Sequence, residues 1–191
     1  MDKEKIENCI RELLDLLGDD SRRNGLADTP DRVARIYQEI FRGYDEDERP
    51  KITTFQNGED GIVYDNMVID TGDFYSVCEH HMMPFFGKYY FAYIPSKNGK
   101  ILGISKIGRV VDYCASKLQI QERLTHEIVA MLSQALGTEN PPLGLALVMK
   151  GKHLCKTMRG AKKDGEMISS YMTGEFKSNS SLRAEFMSLI K

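Results

Sequence analysis

Apolar residues recur every three or four positions at the start of the chain, where Ile6, Ile10, Leu13, Leu14 and Leu17 share one face and Gly18-Asp19-Asp20 ends the pattern. That spacing predicts an amphipathic helix. Thr29-Pro30, a capping hydroxyl followed by proline at the first helical position, announces a second helix, with Val33, Ile36, Tyr37, Ile40 and Phe41 on one face and an end near Gly43. From about Asp45 to Gly61 the chain is polar, carries Pro50 and Gly58, and shows no apolar period. A boundary is therefore expected near residue 60, between a helical N-terminal region with its linker (1–60) and a second unit (61–191).

Beyond the boundary the apolar segments shorten. Met67-Val68-Ile69-Asp70 runs on to Phe74-Tyr75-Ser76-Val77, and Tyr89 to Ile94 forms an aromatic-rich run closed by Pro95, which predicts two strands joined through Cys78-Glu79-His80-His81. Helical spacing returns from about Ser105 to Leu118, with Ile107, Val110, Val111 and Cys114 inward. It recurs from about Gln121 to Leu136, with Leu124, Ile128 and Leu132 inward and Gly137 as the stop. After Pro141-Pro142, Leu143 to Met149 is a continuous apolar run of strand length; Met167 to Phe176 gives a fourth, weaker strand, and Ser181 to Leu189 a closing helix. The expected class is α+β: N-terminal helices, then an antiparallel four-stranded sheet with a helix pair between its second and third strands, packed on one face. The other face is left to water or a partner. No internal repeat or low-complexity segment interrupts this order.

Composition narrows the function classes. With 41% hydrophobic and 28% charged residues in 191, the chain can bury a core in one or two compact units. A formal net charge of −2 gives no long-range field for a polyanion, so nucleic acid is not an expected partner. No stretch approaches the roughly 20 consecutive apolar residues of a membrane helix, and the charged, alternating N-terminus is unlike a secretory signal. The expectation is a cytoplasmic protein with no membrane partner. Cys9, Cys78, Cys114 and Cys155 are too few and too scattered for a disulfide scaffold, which favours reduced thiols.

The cysteines and histidines carry the first chemistry. Cys78 and His81 stand three apart in CEHH, and Cys155 ends His153-Leu154-Cys155 beyond another predicted strand. Three ligands of the Cys/His/Cys kind suit zinc, and a missing fourth protein ligand leaves a position at which the metal can make water nucleophilic near neutral pH. The alternative is that the thiols are small buried hydrophobes and the histidines complete hydrogen-bond networks. If His81 binds metal, His80 and His153 remain as acid/base candidates; His80 and His81 can share a pocket only if the backbone turns there. The bland reading of His80 is a supporting or exposed side chain.

Basic residues fall nearby in sequence. Ser105-Lys106 and Arg109 open a predicted helix, whose free N–H groups favour an anion, and Arg159-Gly160 follows Cys155. Together they could hold a polyphosphate; singly, each reads as a solvated charge. Gln121-Glu122 starts the next helix, where a glutamate is a favourable first-turn charge or a carboxylate for paired N–H donors such as a guanine edge.

CEHHMMPFFGK, YIP, ILGISKIGRVVD, QIQERLT and HLCKTMRG occur in the same order as in GTP cyclohydrolase I, which the chain resembles from about residue 25 to the end; DTPDRVARIYQEIF and FKSNSSLRAEFMSLI resemble the family's flanks. The resemblance implies one zinc per subunit on Cys78, His81 and Cys155, with His80 and His153 moving protons. It implies that Gln121 and Glu122 hold the guanine, with Ser105 beside them as a further catalytic candidate. Lys106, Arg109 and Arg159 would take the triphosphate, and Arg32 and Arg35 would help from a neighbouring subunit. It further implies a T-fold (tunnelling fold) catalytic domain at 61–191, in a homodecamer of two stacked pentamers with active sites at subunit interfaces. The reaction implied is hydrolysis of GTP to 7,8-dihydroneopterin triphosphate and formate, at the entry to folate or related pterins. The segment 162–169 does not match the family pattern.

Three rival readings of the sequence remain. A related zinc hydrolase could stop at the ring-opened nucleotide or feed deazapurine synthesis. Nitrile reduction by a cysteine nucleophile is disfavoured by the three metal-like ligands. A non-catalytic nucleotide-binding assembly with structural zinc is disfavoured by the acid/base histidines.

Overall fold

In the computed structural model, which describes residues 1–191, the chain opens with helices α1 (Lys3–Leu16) and α2 (Thr29–Ile40), followed by a short strand β1 (Thr54–Gln56). Two eleven-residue strands come next, β2 (Val68–Cys78) and β3 (Pro84–Ile94). Strand β4 (Lys100–Leu102) leads into α3 (Ile104–Ala115), the two-residue β5 (Leu118–Gln119) and α4 (Gln121–Leu136). The chain closes with β6 (Gly144–His153), the short α5 (Leu154–Thr157), β7 (Glu166–Met172), α6 (Gly174–Ser178) and α7 (Ser180–Leu189). No helix is long and apolar enough to cross a membrane.

Helix α1 has a side-chain cap, whereas α2 begins at Thr29 itself rather than being capped by it, and Asp28 before it makes no side-chain capping bond. Asp2 accepts from the Lys5 N–H at 3.2 Å to start α1, and Pro30 sits in the first turn of α2, where its missing N–H costs nothing. Helix α1 packs on α2 but buries none of its residues, and Leu16 and Leu17 stay in solvent. Helix α4 has the bounds its apolar period predicts, stopped by Gly137 at φ 93, in the left-handed region.

The main sheet has the order β5-β2-β3-β6-β7. Its four long strands are antiparallel neighbours, as expected, but a fifth is present: β5 pairs parallel to β2 through Val77↔Leu118 and Cys78↔Gln119. Two residues are too few to carry a period, which is why the sequence pattern misses it. Likewise β1 lies inside the stretch read as an unpatterned connection and pairs with β4 in a separate two-stranded sheet.

Strand alternation sends Phe91, Tyr93, Leu145, Leu147 and Met149 to the face covered by α3 and α4, with Phe74, Val110, Leu124, Ile128 and Leu132 in the same core. The opposite face carries Ala92, Ile94, Ala146 and Val148, and these meet Phe176, Phe186 and Ile190 from the C-terminal helices. Helices thus cover both faces rather than one. The sequence reading also carries the last strand too far: it ends at Met172, and Phe176 belongs to α6. The turn between them needs Gly174, at φ 53, where a Cβ would lie 2.0 Å from the Leu143 carbonyl oxygen. Burying Phe176 and Phe186 stabilises by about 1.5–3 kcal/mol each and fixes α6 and α7 to the sheet. The other half of that face, around Tyr75, Phe86, Lys88 and Ile168, is largely open.

Helix α3 has a direction that matters for the site. It starts beside the Tyr93 end of β3, where the Leu102 N–H donates to the Tyr93 hydroxyl at 3.1 Å. It ends at the Phe85 end, where Ser76 donates to the Ala115 carbonyl at 2.7 Å and Ser76 is registered with Phe85.

Candidate metal centre and active site

Cys78 is the last residue of β2, and the chain reverses immediately after it. The Met82 N–H donates to the Cys78 carbonyl at 2.8 Å, the Cys78 N–H to the Met83 carbonyl at 2.9 Å, and Met82 takes a positive φ of 52. This is the backbone turn that CEHH requires. It leaves His80 and His81 exposed, with His80 Nδ1 3.8 Å from Cys78 Sγ and the two imidazole centroids 6.4 Å apart.

The second half of the site comes from the end of β6. His153 is its last residue, registered opposite Phe85, and the two rings stack at 4.5 Å and 8°. Helix α5 then turns the chain back and sets Cys155 Sγ 3.8 Å from Cys78 Sγ. Thr157 ties the turn by donating to the His153 carbonyl at 2.8 Å.

Cys78, His153 and Cys155 form a group whose donor atoms all lie within 4.8 Å of one another. The chemistry of this group fits zinc. Two thiolates bound at about 2.3 Å to a tetrahedral ion stand about 3.8 Å apart, the separation found here and far beyond a disulfide bond. Burial and the neighbouring Cys78 sulfur push the Cys155 thiol up from its ordinary range, and a bound cation would oppose that shift. Cys114 is a contrast: buried in the main core, its thiol is pushed up to about 12 by desolvation and acts as a small hydrophobe. Cys9 is exposed on α1.

His153 is half-buried, and desolvation pulls its pKa below the ordinary histidine value, opposed in part by the charge of Glu122. Its tautomer is set by Gln121, which is 1% exposed. The Gln121 amide nitrogen lies 3.1 and 3.0 Å from the Met149 and Met167 carbonyls and 3.0 Å from the Ser169 hydroxyl, so Oε1 is the atom left to face His153 Nε2, at 2.9 Å. Nε2 must then carry the proton, and Nδ1 keeps the lone pair.

The other residues expected at the site divide into three sets. His81 lies outside the three-residue metal group and accepts instead, through Nε2, from Arg159 at 2.7 Å, which also brings Arg159 to the site's edge. Gln121 and Glu122 are beside His153, but the Gln121 side chain is fully engaged with the protein. Ser105, Lys106 and Arg109 lie on the starting turns of α3, toward the far end of β3. The nine residues from Phe85 to Tyr93 span roughly 26 Å at strand rise. Arg32 and Arg35 are exposed on α2 and paired with Asp28 and Asp31 at 3.1 and 2.7 Å. Grooves of about 520 and 560 Å³ lie elsewhere on the chain, one against Tyr75 and Asp112, the other against Phe55 and Ile101.

Sequence reasoning misses Phe85, Arg123, Thr125 and Ser169, all of which touch the site's framework. Phe85 has a faint signal as the aromatic following Pro84 in CEHHMMPFF. The others carry none, because their partners are 44 to 48 residues away.

The family model described as GTP cyclohydrolase I matches residues 6–191. A protein named GTP cyclohydrolase 1 from Thermoanaerobacter pseudethanolicus is 45% identical over 191 residues, covering 100% of this chain and 97% of that protein. One of the same name from Clostridioides difficile is 42% identical over 192 residues, with 100% and 97% covered. A solved structure of the archaeosine synthase QueF-Like in the apo form resembles 56% of this chain and 93% of its own at 17% identity, with a TM-score of 0.43.

Proposed function

The chain belongs to the GTP cyclohydrolase I family, and from that premise we propose how its residues open the purine ring of GTP. The enzyme hydrolyses GTP. The proposed products are formate and 7,8-dihydroneopterin triphosphate, and each subunit carries one zinc, held by Cys78, Cys155 and His81. When bound, the ion acts as a Lewis acid that makes water a nucleophile near neutral pH.

The chain's own groups do the rest. His153, kept neutral by burial and fixed in its Nε2–H tautomer by Gln121, presents the Nδ1 lone pair on the side free of Gln121, where it takes a proton from water attacking C8. His80, 3.8 Å from the Cys78 sulfur through Nδ1, carries the second proton. Glu122, exposed on the first turn of α4, accepts the paired N–H donors of guanine, and Gln121 contributes its main chain rather than its committed side chain. Arg159 takes a phosphate at the site's edge.

Ser105 and Lys106 open α3 at its end away from Ser76 and the Cys78 turn, and Arg109 follows on the next turn. They serve the site of a neighbour, as do Arg32 and Arg35, so the active site sits between subunits of a homo-oligomer. Two stacked pentamers of T-fold subunits would cover the open half-face around Tyr75 and Phe86 and the β7 edge.

The convergence of the two thiols on β2 and α5 carries this proposal. A second arrangement is favoured by the position of His153 within the three-residue group: His153 is the third ligand and His81 the proton carrier. Metal analysis of purified variants separates them. His81→Ala is expected to lose zinc while His153→Ala keeps about one zinc per chain and loses turnover; the reverse pattern assigns the ligand to His153.

A further inference from the structure

Two residues apart on one helical turn, Gln121 and Arg123 point about 200° from each other around α4 and reach different loops. Gln121 holds His153, from the second half of the site. Arg123 reaches Glu79, the residue between Cys78 and His80, from the first half. Nothing in the proposed chemistry uses Arg123.

The Arg123 side chain is braced on three acceptors. Its Nη2 donates to Glu79 Oε2 and, at 3.0 Å, to the Leu118 carbonyl, while Nε donates to Gln119 Oε1 at 2.9 Å. Gln119 is fully buried, and its amide nitrogen is itself committed to the Cys114 carbonyl at 2.9 Å and to Glu127 at 2.8 Å. Lys117 closes the chain of contacts on Glu127 at 2.9 Å. The Glu79 N–H also donates to the Gln119 carbonyl at 3.0 Å, so the turn is tied to β5 through its backbone and to α4 through its side chain.

An isolated ion pair as exposed as Glu79 and Arg123, 33% and 40%, contributes little. What distinguishes this one is that the planar guanidinium is held on a buried amide and a main-chain carbonyl before it meets the carboxylate. Its position is therefore set by the core rather than by solvent. The residue it holds stands between Cys78 and His80 in the chain.

We propose that Arg123 is a positioning residue: through Glu79 it fixes the 78–82 turn so that Cys78, His80 and His81 are presented to the metal in register with the Cys155 half of the site. This inference rests on the zinc reading above. The first turn of α4 then acts as a bracket that holds both halves, Gln121 on one and Arg123 on the other.

The experiment measures zinc affinity by competition with a chelator, and GTP kinetics, for Arg123→Ala, Glu79→Ala, the double variant and Arg123→Lys. Each single alanine variant is expected to bind zinc about tenfold more weakly, and the double variant no more weakly than the worse single one, since both remove the same contact. Arg123→Lys should resemble Arg123→Ala, because a point charge cannot keep three directed donors. In zinc-saturated protein kcat should fall with KM for GTP unchanged. Wild-type zinc affinity in folded Arg123→Ala, additive losses in the double variant, or a raised KM with unchanged zinc affinity would overturn the proposal. If Arg123→Ala fails to fold, Glu79→Ala and Arg123→Lys decide by the same readouts. A wild-type protein that binds no zinc refutes the zinc reading itself, a result distinct from equal affinities across the variants.

Discussion

Gln121 Oε1 accepts a hydrogen bond from His153 Nε2–H across 2.9 Å, from a side chain whose nitrogen faces two carbonyls and a serine hydroxyl. A buried amide thereby determines which nitrogen of His153 is free for chemistry. Replacing Gln121 with Leu removes the acceptor and leaves the His153 N–H without a partner. The expected result is a loss of stability of about 1–3 kcal/mol and a fall in kcat of about 10- to 100-fold. Thermal melting and steady-state kinetics on the same preparation check both, and unchanged kcat in a folded variant would remove the orienting role.

Gly151 sits opposite Gly87 in the β3–β6 pair and leaves room for Gln121. A Cβ at Gly151 would stand 2.4 Å from Gln121 Oε1 and 3.1 Å from the Phe74 ring. Gly151→Ala is therefore expected to push the amide off His153 and reduce turnover, at an overpacking cost of about 1–3 kcal/mol. In Gly87→Ala the new atom would meet the Lys150 carbonyl oxygen at 1.9 Å, where the neighbour is backbone and cannot rotate away. That variant is expected to lose more stability. Melting both variants and assaying them at a temperature where each is folded separates damage to the site from damage to the sheet.

Asp70 supplies a pH test of the core. It accepts from the Tyr89 hydroxyl at 2.7 Å, and burial pushes its carboxyl above the ordinary carboxylate range, with the tyrosine opposing. Because the folded pKa is raised, the native state binds this proton more readily than the unfolded chain, and stability falls as pH rises from about 3.9 through the folded value. Asp70→Asn abolishes that loss. The variant should melt higher than wild type at pH 7, with the difference shrinking toward zero near pH 4; a constant difference between the two pH values would contradict the assignment.

How much of this was legible in the sequence depended on whether a feature was local. Leu124, Ile128 and Leu132 gave α4 its bounds because a single helix face records its own burial. Strand β2 follows the run from Met67 to Val77 closely, while β3 extends back from Tyr89 to Pro84, since Gly87 and Lys88 break the pattern yet still pair through the backbone. Strand β5 was too short to show a period, and Phe176 looked like strand because an apolar residue in α6 reads the same as one in β7. At the site, Cys78 and Cys155 converged as their flanking motifs suggested. The placement of His153 among the thiols and of His81 on Arg159 came from a turn and a one-turn helix, whose side-chain directions no periodicity encodes. Arg123 was invisible for a related reason: its acceptor Glu79 lies across the fold, and an arginine early in a helix ordinarily signals only a solvated charge.

If the paired thiols hold a zinc ion that drives ring opening of GTP, metal and products must rise and fall together. Zinc, formate and fluorescent pterin are therefore quantified from the same protein, before and after a chelator and after zinc is restored, alongside Cys155→Ser. About one zinc per chain and equal formate and pterin are expected in the native protein. Chelation should abolish both products, zinc should restore them, and Cys155→Ser should show neither metal nor product. Full formate and pterin release from protein stripped of metal would contradict this dependence on zinc.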